Sequence, residues 1–528
     1  MDGLGFVDWL VLLSYLGIVS WVAWRSGRAH RQVIHDDGDT ADYVLAGRSI
    51  PAWAAAVSFM ATALSAATFI GLPNKGRAED LTYLAANIAA FIAIAVVALV
   101  FIPLYYRHRV QTVYGLLGLR FGPAAAWTAG AFFILGRLLG SGARLFIAGG
   151  AVAFLLAPDA QSVWGLMVAA IVVMALVASL LVFIGGMRSV IWTDVCQAAV
   201  FVLAASVVIG VLLWRIPLDV VGILGHLADP GPGEPSKLRL FESGFASLDP
   251  AHSYSLLAIV IGLSLINLGA YGTDQDMTQR LLTCRDARSG ARSAIMAVLL
   301  AIPVTTLFMA VGMLLWIFYD RPDIMGNAAP SYDPADNPFI FAVFIARELP
   351  SGLAGLMTAG LLAAAISGLT SEINAIGSTA MSDCYRPLVH NRSSRHYIWV
   401  TRIASVAAAM GLALTAILCI SWQARGVGDL IDFALMVMMF CYSGLVAVFL
   451  CAVCSRRGRS ASAVAALFTG LIAVIVMQFV PLQRLGLVPG DGATPVSAVL
   501  AFPFQMTVAT GLAYMVCIVA PARKAPTP

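Results

Sequence analysis

Apolar runs of 20 or more residues recur from one end of this 528-residue chain to the other. A run of this length crosses the hydrocarbon core of a bilayer as a helix. Charged residues make up only 11% of the chain, whereas a soluble domain averages about 25%. We therefore predict an all-α polytopic membrane protein with about 13 transmembrane helices. The thirteen segments are 4–24, 49–73, 83–105, 124–155, 161–184, 187–214, 252–273, 290–318, 351–382, 397–421, 427–452, 460–481 and 496–520.

Lys and Arg residues predict how these segments are oriented. If the amino terminus lies outside, the loops assigned to the cytoplasm carry about twice as many basic residues as the outer loops, which is the usual bias of membrane proteins. In this interpretation Arg280 belongs to a cytoplasmic loop and Lys75 to an outer one. We therefore expect the amino terminus outside and the carboxyl terminus in the cytoplasm. The net charge of +4 reflects this bias and does not indicate a nucleic-acid partner.

Two of the predicted helices are weakened in corresponding places. If segments two to six and seven to eleven form two five-helix halves, the first helix of each half contains a run of small and polar residues, 61–68 and 267–273. Paired interruptions of this kind are typical of transporter binding sites, because the freed backbone groups need water, an ion or a substrate as partner. Close packing of helices through small residues is the alternative.

Three hydroxyl groups lie on one face of the ninth apolar segment. Ser367, Thr370 and Ser371 stand at positions i, i+3 and i+4, which a helix stacks on one side. In lipid, such a group of oxygens serves a cavity, a partner helix or an ion. Asp194 adds an ionisable group near the start of the sixth segment. It either binds an ion, caps its own helix or accepts hydrogen bonds from neighbouring hydroxyls.

Two arginines, Arg137 and Arg144, lie inside the fourth segment. Their spacing places them on nearly the same helix face, two turns apart. An arginine at membrane depth needs an anionic or carbonyl partner, and its planar guanidinium suits a carboxylate. The candidate partners are Asp194, Glu372 or a carboxylate of a substrate. A structural ion pair, or an arginine that reaches the membrane interface, is the alternative.

Four parts of the chain carry recognisable motifs: Tyr43–Trp53 with Ser65–Pro73, Gly185–Gln197, Gly272–Ala287, and Gly355–Ala375 with Ser382–Pro387. Together they resemble the sodium/solute symporter family, which includes sodium/proline, sodium/galactose and sodium/sialic acid transporters. The likeness extends over roughly 40–455. It implies a 5+5 inverted-repeat (LeuT-like) core at 49–455. Residues 1–48 would form a first transmembrane helix and a cytoplasmic loop, and 456–528 two accessory helices and a short cytoplasmic tail.

The resemblance also implies sodium as the coupling ion, with no prosthetic group. In the usual site of the family, three backbone carbonyls and two hydroxyls surround the ion, which suits a hard cation. On this chain Ala61, Leu64 and Ala364 match the carbonyls and Ser367 matches one hydroxyl. Position 368 is Gly, so the second hydroxyl is missing. The residues that match a further sodium site of some relatives are Asp194, Ser367, Thr370 and Ser371.

Glu372 occupies a position that is usually apolar in the family. It lies four residues after Gly368, on the same helix face, and its side chain is expected to lean back toward Gly368. One hypothesis is that its carboxylate, or a bound water, replaces the missing ligand; another is that it carries a proton in place of sodium. The alternative is an ion pair with a basic group near the cytoplasmic end. Glu372 is thus a possible coupling residue.

The resemblance implies a solute site that is roomier and less polar than a galactose site. Ala63 and Ala270 stand where relatives carry polar or aromatic groups, which does not suit galactose. If Arg144 meets the solute, the solute is an organic anion such as a monocarboxylate or an acidic sugar. We therefore rank a carboxylate-bearing solute above a sugar or an amino acid. The expected substrate-site residues are Asn87, Arg144, Tyr271 and Ser65.

These observations predict a secondary active transporter of the plasma (inner) membrane that moves a small organic solute inward with sodium. The alternatives are a proton-coupled or uncoupled carrier of the same fold, and a membrane solute sensor. The chain contains no Walker-type GxxxxGK[ST] segment, and no nucleophile–base pattern indicates an enzyme. The expected partners are the solute, sodium and the lipid bilayer, without nucleic acid or an obligate protein partner.

Overall fold

The apolar segments form helices in the structure, a computed structural model that describes residues 5–34, 45–110, 112–157, 163–182, 187–241, 251–330, 337–423, 430–481 and 496–521. The starts of the motifs at Tyr43 and Gly185, the loop 35–44 and the tail from 522 lie outside the described residues. We number the longer helices along the chain as α1 (Phe6–Ile34), α2 (Ala52–Ala63), α3 (Ala66–Ala78), α4 (Leu81–Arg107), α5 (Val113–Phe121), α6 (Pro123–Leu156), α7 (Trp164–Val182), α8 (Met187–Arg215), α9 (Val220–Ala228), α10 (Ala258–Thr273), α11 (Gln275–Leu282), α12 (Ala287–Asp320), α13 (Ile340–Glu348), α14 (Leu353–Tyr385), α15 (Ser394–Gln423), α16 (Leu430–Cys454), α17 (Ser460–Phe479) and α18 (Phe502–Val519).

Eleven helices of the described ranges are long and apolar enough to cross a membrane, and the bent pair α2–α3 makes a twelfth. They confirm the predicted all-α membrane architecture. The predicted segment 252–273 is covered by α10, which is shorter because it begins at Ala258. It ends at Thr273, as predicted, and the chain continues as α11. The division of the chain at 48 and 455 into core and accessory parts stays a prediction.

The segment 49–73 is interrupted near its middle. α2 ends at Ala63 and α3 begins at Ala66, with a bend of 60° between them. Ser65 leaves the helical conformation, and its hydroxyl accepts a hydrogen bond from the first turn of α3 at 3.3 Å. The backbone N–H groups of Thr68 and Phe69 bond to the Ser65 carbonyl. Because Thr68 bonds to Ser65 rather than to Leu64, the Leu64 carbonyl stands at the break without its usual helical donor, as an ion site requires.

The corresponding interruption in the second half lies at Asp274, between α10 and α11. The Asp274 carboxylate caps α11 by accepting two backbone hydrogen bonds, at 2.9 and 3.4 Å. Tyr105 and Tyr114 donate through their hydroxyls to the carbonyls of Gly272 and Thr273, at 2.6 and 3.0 Å. These side chains satisfy backbone groups that the break frees, which an apolar environment demands. Both weak points that the sequence predicts are therefore breaks in helices.

The first helix is joined to α14 through Asp8. The Asp8 carboxylate is buried and accepts hydrogen bonds from the backbone N–H groups of Gly352 and Gly355, both at 2.7 Å. Gly352 has a φ of 92°, which glycine adopts without strain. Because the first N–H groups of a helix have no partner within it, an acidic side chain stabilises that end. α1 thereby fixes one end of the helix that carries the hydroxyl cluster.

Candidate functional site

A cavity of about 160 Å³ lies beside the two helix breaks, among α3, α4, α6, α10, α12 and α16. We call it the central cavity. Its wall combines apolar side chains with a few polar groups and two arginines, which is typical of a site for a small solute. The expected residues that line it are Asn87, Arg144 and Tyr271, together with Ala63 and Ala270.

Ser65, the fourth expected substrate-site residue, lies outside the wall of the central cavity. Its hydroxyl caps α3, and it borders a smaller cavity of about 20 Å³ together with Gly368, Glu372 and Arg144. A Cβ atom added to Gly368 would meet no other atom within 4 Å. The space left by the missing hydroxyl is therefore open, and Glu372 borders the same small cavity.

Asn267 is a polar residue of the central cavity that was not expected from the sequence. Its side-chain amide donates to the carbonyl of Leu263 at 2.9 Å, just as the amide of Asn87 donates to Leu84 at 2.9 Å. Each amide therefore donates to a carbonyl about one turn earlier in the chain, Asn267 on α10 and Asn87 on α4. The signal was present in the sequence, because Asn267 begins the polar run that marks the second break.

Arg144 is the more accessible of the two arginines on α6. Its side chain is 19% exposed and borders both the central and the smaller cavity. Nη1 lies 3.7 Å from Oε1 of Glu372, and Nη2 lies 3.6 Å from the sulfur of Met438. A guanidinium carries five N–H donors, so these two contacts engage only part of the group. The arrangement gives a carboxylate in the central cavity a cation to bind.

Arg137 is more deeply buried than Arg144 and has more carboxylate partners. Its side chain is 5% exposed and pairs with Asp274 at 2.7 Å, Asp276 at 3.2 Å and Glu372 at 3.3 Å. The second oxygen of Asp274 accepts a hydrogen bond from the hydroxyl of Tyr442 at 2.7 Å. These contacts join α6 to α11, α14 and α16 at the second helix break. A buried arginine with this many anionic partners is built into the structure, and its loss would leave the Asp274 carboxylate without its cation.

The structure corrects the sequence-based position of Arg280, which we expected in a cytoplasmic loop. Arg280 is fully buried on α11. Its guanidinium donates to Asp276 at 2.6 Å and to the Ser371 hydroxyl at 2.5 Å, and it lies 3.5 Å from Asp194. The low hydropathy of the stretch around Arg280 predicts a loop in water. Opposite charges that pair with each other, however, are buried together. The position of Arg280 within the motif Gly272–Ala287 was the sequence feature that could have indicated its burial.

The four residues that match the further sodium site are grouped around Arg280. Asp194 accepts hydrogen bonds from Ser58 at 2.5 Å and from Ser367, and Ser371 accepts from the guanidinium. Thr370 differs, because its hydroxyl donates to the carbonyl of Ser367 on its own helix at 2.8 Å. Asp194 and Ser371 therefore contact Arg280, and Ser367 contacts Asp194. The Thr370 hydroxyl is turned toward its own backbone.

The buried charges of this network do not balance. Three arginines face four carboxylates, so the formal charge is −1 when all seven groups are ionised. Unbalanced charge is unfavourable in a medium of low dielectric constant. Electrostatics therefore favour either a monovalent cation in or beside the network or a proton on one of its carboxylates. Its members are Arg137, Arg144, Arg280, Asp194, Asp274, Asp276 and Glu372.

The residues that match the usual sodium site also lie together. Ala61, Leu64 and Ala364 border a narrow cavity of about 10 Å³ between α2 and α14. Ser367 follows Ala364 by one turn on α14 and is buried. The free carbonyls at the break and the hydroxyl of Ser367 are the neutral oxygen ligands that a hard cation such as sodium accepts. Gly368 contributes no oxygen from its side chain.

Comparison with known proteins gives a consistent family. The model of the sodium:solute symporter family matches residues 43–470. A sodium/sialic acid symporter of Proteus mirabilis is 26% identical over 482 residues, which cover 90% of each chain. A sodium/glucose cotransporter of Vibrio parahaemolyticus is 24% identical over 497 residues, which cover 91% of this chain and 87% of the relative.

A solved structure shares the fold. The substrate-bound, outward-open structure of a Na⁺-coupled sialic acid symporter has a TM-score of 0.79 and 23% sequence identity. The similarity covers 99% of this chain and 100% of that one. At this level of identity the comparison bears on architecture, and it confirms the expected LeuT-like fold.

Proposed function

The chain belongs to the sodium:solute symporter family, and from this premise we propose that it carries a small carboxylate-bearing organic solute together with sodium across the plasma membrane. Sodium-coupled solute symport is the activity of the family. The class of solute, the roles of the site residues and the orientation with the amino terminus outside are our proposal.

The observation that carries the proposal is the position of Arg144 in the wall of the central cavity. Its neighbour Arg137 pairs with three carboxylates at 3.3 Å or less, whereas Arg144 meets one, at 3.7 Å. A planar guanidinium binds a carboxylate through two parallel hydrogen bonds, which are stronger than bonds between neutral groups. An anionic solute is therefore the partner that best suits this side of the cavity.

The size and lining of the cavity favour a small anion. At about 160 Å³ it is smaller than the roughly 300–1,000 Å³ of most ligand pockets. Ala63 and Ala270 leave part of its wall apolar, while Asn87 and Asn267 supply amides. The relatives named above include one for sialic acid, an acidic sugar, and one for glucose. We place this chain with the anion carriers because the charge of Arg144 binds a carboxylate more strongly than it binds the hydroxyl groups of a neutral sugar.

We assign sodium to the two oxygen-rich places on α14. Ala61, Leu64, Ala364 and Ser367 form the first. Asp194, Ser367, Thr370 and Ser371 form the second, beside Arg280. The charge of −1 in the neighbouring network supports cation binding at either place. Glu372 contacts both Arg137 and Arg144. It therefore links the arginines of the central cavity to α14, the helix that carries the proposed sodium ligands.

Uptake into proteoliposomes tests the proposal. The purified protein is given short monocarboxylates, sialic acid, glucose and proline in turn, under a sodium gradient, a proton gradient or neither. We expect uptake of at least one carboxylate, driven by the sodium gradient alone. Uptake driven only by protons would favour a coupling role for Glu372, and selective uptake of glucose or proline would exclude the anion assignment. Solute binding without any transport would indicate a sensor.

Gly368→Ser tests the first sodium site. The added side chain fits, because a Cβ at this position meets no atom within 4 Å. An extra oxygen ligand worth about 1 kcal/mol lowers the sodium concentration for half-maximal uptake about fivefold. Gly368→Ala is the matched control, since it adds the same Cβ without the oxygen. If both variants behave like the parent protein, or if both change equally, sodium does not bind beside residue 368.

A further inference from the structure

A second, larger cavity opens beyond the central cavity. Its volume is about 780 Å³, and we call it the vestibule. Glu79, Lys237, Asp320 and Asp432 are among the charged residues that line it. Burial lowers the pKa of the Lys237 amine, an effect that the nearby Asp320 and Asp80 partly offset. Tyr254 borders both the vestibule and the central cavity, so the partition between the two cavities passes through this residue.

Lys75 lies inside this partition. We expected it in an outer loop, but its side chain is fully buried at 0% exposure on α3. Its amine lies 3.0 Å from Oε1 of Glu79 and 3.6 Å from Oδ2 of Asp432. The rings of Tyr83 and Tyr254, both of which line the central cavity, lie 5.9 and 5.0 Å from the amine. Lys75 is thus enclosed by groups from both cavities.

The contacts of Lys75 tie together elements from both halves of the fold. Lys75 belongs to α3, the second part of the first broken helix, and Asp432 belongs to α16. Tyr254 precedes α10 and donates its hydroxyl to Oδ1 of Asp432 at 2.6 Å. One carboxylate therefore holds α3 by an ion pair and the start of α10 by a hydrogen bond. These are the elements whose separation would connect the two cavities.

The physical chemistry of this cluster suits a contact that opens and closes. A buried ammonium is stable only while its charge is paired. If α3 and α16 move apart, the same groups meet the water of the vestibule, and hydration replaces the lost ion pair. The two states therefore differ little in free energy, whereas an apolar seal of the same area favours closure more strongly.

We propose that Lys75, Asp432 and Tyr254 form the gate between the vestibule and the central cavity. In the closed state the ion pair and the tyrosine hydroxyl hold α3, α16 and α10 together. In the open state these contacts are broken and a solute passes to Arg144. The proposal does not depend on the identity of the solute, and it stands if the solute proves to be neutral.

The rate at which a cysteine in the central cavity reacts with a membrane-impermeant methanethiosulfonate reagent tests the gate. Ala301→Cys places the thiol in the cavity wall, which contains none of the eight native cysteines. The protein is reconstituted in lipid nanodiscs, so that the reagent reaches both faces. We expect Lys75→Met to raise the rate at least about tenfold, because the ion pair between α3 and α16 is then lost and the open state gains population. Asp432→Asn and Tyr254→Phe raise it by smaller factors.

Arg215→Gln is the matched control. Arg215 pairs with Glu348 at 3.2 Å and borders neither cavity, so its loss leaves the labelling rate unchanged. The chain without Ala301→Cys gives the background from native thiols. If Lys75→Met does not fold, Asp432→Asn and Tyr254→Phe decide, since they keep the shape of the side chain. Unchanged rates in these variants, or an equal rise in Arg215→Gln, would overturn the proposal.

Discussion

Replacing Arg144 by Gln is expected to lower the uptake of carboxylate solutes about 100-fold, because the charge-assisted hydrogen bonds to the solute are worth up to about 3 kcal/mol. The effect should fall on the KM for the solute and on the maximal rate, while the protein still folds. Glu372 keeps Arg137 as its partner at 3.3 Å in this variant, so no buried carboxylate is left alone. Initial rates in proteoliposomes under a fixed sodium gradient measure the change.

Arg144→Lys separates charge from geometry. Lys keeps the positive charge but lacks the planar fork that binds both oxygens of a carboxylate. We expect uptake between that of the parent protein and that of Arg144→Gln. A parent-like uptake in Arg144→Gln would show that the arginine does not meet the solute. It would also leave the ion pair with Glu372 as the function of Arg144.

Replacing Arg137 by Met is expected to destabilise the fold itself. Asp274, Asp276 and Glu372 would face one another without the guanidinium that now lies 2.7 to 3.3 Å from them. Removal of one partner from a buried ion pair costs about 3–5 kcal/mol. The fraction of protein that stays monodisperse after heating in detergent measures this loss. Arg137→Met should lose monodispersity at a much lower temperature than the parent chain.

Arg144→Gln is the matched control for this measurement, because both arginines lie on α6 and pair with Glu372 but differ in the number of carboxylate partners. Arg137→Lys should recover part of the stability, since an ammonium still neutralises the cluster but makes fewer directed hydrogen bonds. Equal heat stability of Arg137→Met and Arg144→Gln would show that the network around Asp274 does not hold the helices together.

The two helix breaks could be predicted from the local sequence. The small and polar run 61–68 predicts the bend at Leu64 and Ser65, and the run 267–273 predicts the break that falls at Asp274. Both follow from residues that weaken a helix within a few positions. The seven-residue spacing of Arg137 and Arg144 likewise places both on one face. It does not say which arginine will be enclosed by acids, since those acids come from other helices.

The burial of charged residues near predicted loops could not be predicted from the local sequence. Lys75 and Arg280 were both expected in loops, and both are fully buried. Hydropathy treats each charge as isolated, so it places a lysine or arginine in water. Burial becomes favourable only when partners from other helices, such as Asp432 for Lys75 and Asp194 for Arg280, come close in the folded structure.

The sequence by itself determined that this chain crosses a membrane many times, where its two principal helices break and which family it resembles. These properties depend on hydrophobic length, on short runs of small and polar residues, and on motifs, all of which are local. Only the tertiary structure decided that Arg137 pairs with three acids and Arg144 with one, although both border the central cavity, and that Lys75 separates two cavities. Pairing between distant charges depends on distances of a few ångströms, because Coulomb energies in a dry interior change steeply over that range.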